Sequence, residues 1–202
     1  MPLKFKKLPL CFYNNDTEKV ARELLGKKLV RVLNNKRLSG IIVETEAYLG
    51  STDQACHSRN GIKTKRNASM YLPGGHAYVY FIYGMYFCLN AVTKSSKNAE
   101  AVLIRAIEPV EGIELMRKFK NSSKQDLHLT NGPGKLAQSL MIDKTLDGES
   151  LKGNNLFIEE TGITYKKNEI IKTSRIGISK TNEACDWQLR FYVKDCPYVS
   201  KK

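Results

Sequence analysis

The sequence is poor in the features that would commit it to a membrane, a secretory route or a metal. No stretch of its 202 residues reaches the ~18–20 consecutive apolar positions needed to cross a bilayer. The amino-terminal "MPLKFKKLPLCFY" has no sustained apolar region and no small-residue cleavage site, so no secretory signal is expected. The five cysteines (Cys11, Cys56, Cys88, Cys185, Cys196) form no CxxC pair and no even-numbered framework. They read as buried or incidental thiols of a reducing compartment. The three histidines (His57, His76, His128) have no ligand-spaced cysteines nearby, and no metal site is expected. Acidic residues are the last shortage: 20 Asp and Glu stand against 33 Lys and Arg, a formal charge of +13. That imbalance favours polyanionic partners by long-range attraction, nucleic acid ahead of an anionic membrane surface.

What is present describes one domain with a real core. The apolar share of 42% and charged share of 26% are those of a soluble globular chain. "YNNDTEKVARELLG" predicts a helix capped by Asn15 or Asp16, with Val20, Ala21, Leu24 and Leu25 as its apolar stripe and Gly26 as its stop. "KLVRVLNNKRLSGIIVETEAYLG" alternates like two strands joined at Asn34-Asn35-Lys36. Residues 51–75 are turn-rich and form a long loop of the kind that is functional or disordered. "AVLIRAIEP" reads as a buried strand, with Pro109 opening a helix through Glu111, Ile113 and Met116. "NSSKQDLH" is a polar loop, and "NGPGKLAQSLMID" a glycine-rich turn running into a helix. "LFIEE", "TSRIGIS" and "LRFYVKD" supply three more strands. The pattern is α+β in a single domain spanning 1–202, with no internal repeat.

The densest feature is "YVYFIYGMYF", six aromatic residues in ten positions from Tyr78 to Phe87. Read with period two, Tyr78, Tyr80 and Ile82 share one face, and Val79, Phe81 and Tyr83 the other. Gly84 breaks the alternation, so a hairpin tip falls near Tyr83-Gly84 with Tyr83 exposed at the corner. A core strand explains Phe81 and Phe87. It explains the tyrosines less well, since each buried hydroxyl needs a partner. Rings that stack on nucleobases, or wedge between base pairs from the tip, are the alternative.

Just upstream, "VETEAYLG" places Glu44 and Glu46 on one strand face. Such a pair is either an acid–base couple or a salt-bridged surface. Glu46 stands out because Ala47, Tyr48 and Leu49 follow it, and apolar surroundings favour a carboxylate as a base. "HSRNGIKTKRN" carries Arg59, Lys63, Lys65 and Arg66 without an acid, which suits either a solvated loop or phosphate contact. "NGPGKL" could present backbone N–H groups and Lys135 to a phosphate, or be a plain turn. It lacks the spacing of a nucleotide-binding P-loop, so ATP is not implied.

Together, "ARELLGKKLVR", "GIIVETEAYLGSTDQACHSRNGIKTKRN", "YVYFIYGMYFCLNAV", "VLIRAIEPVEG", "GPGKLAQSL" and "RIGIS" with "LRFYV" resemble the alkyladenine (3-methyladenine) DNA glycosylases of the mammalian alkyladenine type. The match runs in unbroken order from about Ala21 to Val199, although the loop after Asn90 is longer than the family pattern. The resemblance implies an antiparallel curved sheet or open barrel with flanking helices and a protruding β-hairpin. It implies a base-excision repair hydrolase that flips alkylated or deaminated purines of the 3-methyladenine, hypoxanthine and ethenoadenine class out of duplex DNA, without a cofactor.

Carried over by position, the resemblance makes Glu46 the base that activates water, held with Arg105 and the main-chain carbonyl of Ile178. Tyr48 and His57 would stack on one face of the flipped base and Tyr80 on the other. His57 would also offer its backbone N–H to the base edge, and Asn90 would crowd the amino group of guanine. Tyr83 would fill the gap in the duplex, Met85 and Tyr86 would touch the minor groove, and Thr64, Arg66 and Lys135 would meet phosphates. The expected enzyme is a monomer acting where the DNA is, in the nucleoid of a bacterium or the nucleus of a eukaryote, and not secreted. A non-catalytic nucleic-acid-binding module and a basic structural protein are the competing readings.

Overall fold

The computed structural model describes residues 6–94, 96–120 and 126–201. Two short helices, α1 (Leu10–Tyr13) and α2 (Thr17–Glu23), precede the hairpin of β1 (Lys28–Leu33) and β2 (Lys36–Tyr48). Three 3₁₀ turns (Gly50–Thr52, Arg59–Gly61 and Ala68–Tyr71) punctuate the long loop that follows. A second hairpin, β3 (Ala77–Ile82) and β4 (Tyr86–Thr93), leads into β5 (Glu100–Glu111). Helices α3 (Ile113–Phe119) and α4 (Pro133–Ser139) come next, then β6 (Leu156–Glu159), β7 (Ile170–Thr173) and β8 (Arg190–Val193). Of the polar stretch "NSSKQDLH", residues 121–125 lie outside the described residues.

Local chemistry explains the first elements. Asp16 caps α2 by accepting from the Lys19 N–H at 3.1 Å, and Val20, Ala21 and Leu24 are wholly buried. The expected apolar stripe is therefore the face that meets the sheet. Asn34 and Asn35 stand at φ 50° and 60°, the left-handed pair that a tight turn between twisted strands requires and asparagine tolerates.

All eight strands join one antiparallel sheet, ordered β3-β4-β5-β2-β1-β6, with β8 pairing β2 and β7. Strand β2 organises it. One of its edges runs along β5, while the other is shared between β1 over residues 36–41 and β8 over residues 44–46. The register against β5 slips between Ile42 and Glu44 and again between Glu44 and Thr45. Bulges of this kind bend a strand and raise its twist, so the sheet curls into a half-barrel immediately before Glu46. Helices α2, α3 and α4 close one side over a continuous core that includes Leu24, Ile42, Ile104, Met116 and Leu136. A smaller cluster of Cys56, Met70, Tyr78, Val92, Ala99 and Ala101 lies under Tyr48 and Tyr80.

Three local expectations fail for identifiable reasons. Pro109 does not open a helix; it stays in β5 opposite Gly40. There β5 has already parted from β4, whose pairing ends at Leu103, so one edge of the strand carries no ladder and a proline is tolerated. "TSRIGIS" contributes only Thr173 to a strand, and the strand beside β8 is the preceding "IIKT". Phe81 is 48% exposed, because the hairpin tip projects past the core and leaves Phe81 against Phe87, centroids 5.0 Å apart and planes tilted by 48°.

The bulged β2–β5 seam tolerates little added volume. A Cβ at Gly40 would fall 2.5 Å from the Glu108 carbonyl oxygen and 2.8 Å from Ile107 Cδ1. Gly40→Ala is expected to destabilise the fold by about 1–3 kcal/mol, seen as a lower urea midpoint at unchanged m-value.

Candidate active site

Strands β2 to β5, the loop following β2, the start of α4 and residues 176–178 enclose a cavity of about 420 Å³. Eight of the residues expected from sequence line it, among them Tyr48, His57, Tyr80, Asn90, Arg105 and Ile178. Tyr83 and Tyr86 join them from the hairpin.

Glu46 lies one layer below the floor, with no solvent exposure. Its Oε1 accepts the Ile176 N–H at 2.7 Å. Its Oε2 accepts the Tyr48 hydroxyl at 2.9 Å and lies 3.3 Å from Arg105 Nη1. All three of these partners border the cavity, so the carboxylate lies directly behind the residues that form the floor of the slot. Arg105 sits on β5 with its Nε 3.2 Å from Glu44 Oε1, which fixes its register despite the longer preceding loop. Burial alone would lower its proton affinity, but Glu46 and Glu44 outweigh that and raise it.

Glu44 is the other carboxylate of the pair, and it is fully committed elsewhere. Its Oε1 accepts from Arg190 Nε at 2.7 Å and Ser200 Oγ at 2.9 Å, and its Oε2 from the Ser200 N–H at 2.7 Å. Both acids are salt-bridged, as one of the two sequence readings has it, but they are buried rather than on the surface. Glu44 anchors the late segment of the chain, whereas Glu46 is held by the cavity residues Tyr48, Arg105 and Ile176.

The rings above Glu46 are grouped differently from the expectation. His57 packs edge-on against Tyr80, with centroids 4.5 Å apart and planes at 78°, so these two stand together. Tyr48 belongs to the floor, its hydroxyl bound to Glu46. Burial first, then the charge of Glu46, pushes the Tyr48 phenol well above its ordinary range, and burial does the same for Tyr80. Both stay protonated. His57 Nδ1 and the Tyr78 hydroxyl share a 2.7 Å hydrogen bond. Burial, with help from Arg66 and Arg59, lowers the His57 pKa to about 4. The Asn90 side chain is buried and donates to the Tyr78 carbonyl at 3.0 Å.

The residues expected to meet DNA occupy the rim. Tyr83 and Gly84 form the hairpin tip at φ 54° and 68°, and Tyr83 is 77% exposed. Met85 is exposed beside it, while Tyr86 packs on Gly134 at the start of α4. Thr64 caps a loop turn, its N–H and hydroxyl both directed to Asn67 Oδ1. Arg66 is exposed but braced, donating to the Phe81 carbonyl at 3.1 Å and lying 5.7 Å from the Tyr80 ring centre. Lys135 bonds Asn131 Oδ1 at 2.8 Å. Among the described residues, no group of three or more His, Cys, Asp and Glu side chains is placed to hold a metal ion.

Sequence reasoning missed four contributors: Tyr78, Ile176, Asp53 and Arg175. Arg175 and Asp53 form an ion pair with no exposure on either side chain. An arginine set between Ser174 and the apolar Ile176, in a stretch read as strand, was the available signal.

The His57 shift has a defined sign. Between its ordinary value near 6.5 and about 4, the unfolded chain takes up a proton that the folded one refuses, so stability falls as pH drops through that window. Thermal unfolding at pH 6.5 and pH 4.5 should show a loss on the order of 1–2 kcal/mol from this group, and His57→Gln should lose correspondingly less.

Residues 11–197 match the sequence profile of the methylpurine-DNA glycosylase (MPG) family. A protein of Alkaliphilus oremlandii is 47% identical, covering 97% of this chain and 100% of its own length. One from Desulfitobacterium hafniense is 48% identical over 98% and 100%, and one from Bdellovibrio bacteriovorus 49% identical over 96% and 99%. Each carries the name "Putative 3-methyladenine DNA glycosylase". The chain belongs to the methylpurine-DNA glycosylase family, base-excision repair hydrolases that cut the N-glycosidic bond of damaged bases in DNA.

Proposed function

We propose that the protein removes alkylated and deaminated purines, the 3-methyladenine, hypoxanthine and ethenoadenine class, from duplex DNA with a water activated by Glu46. The observation that carries this reading is the position of Glu46: a wholly buried carboxylate beneath an aromatic slot, in a chain of charge +13. A module that only bound nucleic acid would gain nothing from an acid there, because it repels phosphate.

The glycosidic carbon is inaccessible inside a stacked duplex, so the damaged nucleotide rotates out at a cost of a few kcal/mol. Tyr83 enters the gap from the hairpin tip, with Met85 and Tyr86 along the minor groove. Thr64, Arg66 and Lys135 hold the phosphates. The extruded base slides between Tyr48 and the His57–Tyr80 pair, and stacking returns about 1–3 kcal/mol. The His57 backbone N–H meets the base edge, and Asn90 crowds the exocyclic amino group of guanine.

A water held by Glu46, Arg105 and the Ile178 carbonyl then attacks the anomeric carbon. Its oxygen bonds to that carbon, the C–N bonding pair leaves with the purine, and the water's proton passes to Glu46. A purine alkylated at a ring nitrogen already carries positive charge and departs without further protonation. A hypoxanthine needs a proton from elsewhere, and His57, with a pKa near 4, holds none to give at neutral pH. Its role is therefore to stack and orient. The chain acts as a monomer, in the compartment that holds the DNA.

Glu46→Gln is expected to slow release of hypoxanthine or ethenoadenine from a duplex by about 10²–10⁴-fold, with gel-shift affinity retained. Unchanged turnover would remove Glu46 from the mechanism, and intact oligonucleotide after long incubation with excess wild-type protein would favour the binding module. Tyr83→Ser should weaken both damage-specific affinity and flipping, read as a smaller rise in fluorescence from a 2-aminopurine placed beside the lesion. No change in either signal would exclude the wedge role.

A further inference from the structure

We infer that the buried Arg175–Asp53 ion pair is a positioning device for the reaction, one that fixes the Ile176 N–H on Glu46 and brings the Ile178 carbonyl to the cavity wall. The inference rests on the proposed role of Glu46 and extends it to two residues that touch neither base nor water.

The geometry is that of a clamp. Arg175 Nη1 and Nη2 reach Asp53 Oδ2 and Oδ1 at 2.5 and 2.8 Å. The same Nη1 donates to the Ala47 carbonyl at 3.0 Å, and the guanidinium lies 4.6 Å from the centre of the Tyr48 ring. Asp53 in turn accepts the Leu49 N–H at 3.1 Å and the Ala55 N–H at 3.0 Å. One pair thus joins the end of β2 on both sides of Tyr48, the loop that carries Ala55 and His57, and the segment 175–178. The residue immediately after Arg175 places its N–H 2.7 Å from Glu46 Oε1, and the two after that line the cavity.

Stability alone does not account for this arrangement. A buried ion pair loses much of its attraction to desolvation, and apolar residues of similar volume often serve a core as well. Apolar side chains cannot reproduce the directions of the bonds to Ala47, Leu49 and Ala55. Every one of those partners is either a cavity residue or the immediate neighbour of one. A planar guanidinium fork sets two hydrogen bonds at a fixed angle, which an ammonium does not. Catalytic alignment is sensitive on that scale, since a misplacement of about 1 Å can cost about 10²-fold in rate.

The test measures single-turnover base release per titrated active site, together with affinity for abasic-site duplex as a product probe. Arg175→Lys and the double variant Asp53→Leu with Arg175→Met are compared with wild type, the latter removing both buried charges so that neither is left unpaired. The expected result is a rate loss of about 10–10²-fold in the double variant, a smaller loss with lysine, and abasic-duplex affinity within about threefold of wild type in both. Wild-type rates per active site in both variants, whatever their melting temperatures, would overturn the proposal. So would rate and affinity falling together, which would mark general disorder of the site. Glu46→Gln run alongside separates the two ideas: full activity there overturns the role of Glu46 and with it that of the pair, whereas loss there beside wild-type rates in the pair variants overturns the pair alone.

Discussion

Glu44 and Glu46 are both taken out of water, and Arg105 makes that tolerable by lying against the two at once. An isolated carboxylate would lose its charge rather than accept such burial. Here the charge is held by cations and by hydrogen bonds from Ile176, Tyr48, Ser200 and Arg190. Removing one member of such a set leaves another buried and unpaired, which typically costs about 3–5 kcal/mol. The curl of the sheet, the path of segment 175–178 and the anchoring of the late chain all serve to bring these donors to two oxygen pairs on β2.

Much of the fold was legible because its signals are local. Asn34-Asn35 and Tyr83-Gly84 mark turns through backbone conformations that few other residues accept, and the stripe of α2 follows from 3.6-residue spacing. Pro109 misled because a proline's meaning depends on whether its missing N–H faces a neighbouring strand, a fact of topology. "TSRIGIS" misled because an apolar run does not say whether it pairs in a ladder or crosses a cavity. The roles of the site residues came from family resemblance, and the apolar residues after Glu46 set it apart from Glu44 only by context. What distinguishes them is their bonding to Ser200, Arg190 and Ile176, each more than 120 residues away. The same distance hid the Arg175–Asp53 pair. The grouping of His57 with Tyr80 was unreadable for another reason: it depends on how a loop without periodicity folds back over β3.

The charge of the chain and the chemistry of the cavity divide the task between them. Arg59, Lys63, Lys65 and Arg66 are exposed on one loop, where salt screens them readily. The slot itself is lined by rings and by protonated or neutral groups, with its one arginine already balanced by carboxylates. Attraction to the polyanion is therefore a property of the surface, and discrimination among bases a property of the interior. Arg66 connects the two, since it reaches from the basic loop to the Phe81 carbonyl and lies over Tyr80.

The link from Glu44 to Ser200 also bears on how the molecule is made. Glu44, Glu46 and the rings of the slot, from Tyr48 to Tyr86, precede Arg105 in the chain, whereas Arg175, Ile176, Arg190 and Ser200 follow it. The donors that hold the two carboxylates from Ile176, Arg190 and Ser200 are therefore translated well after the acids themselves, and the charged floor is completed only once that later segment has docked on β2.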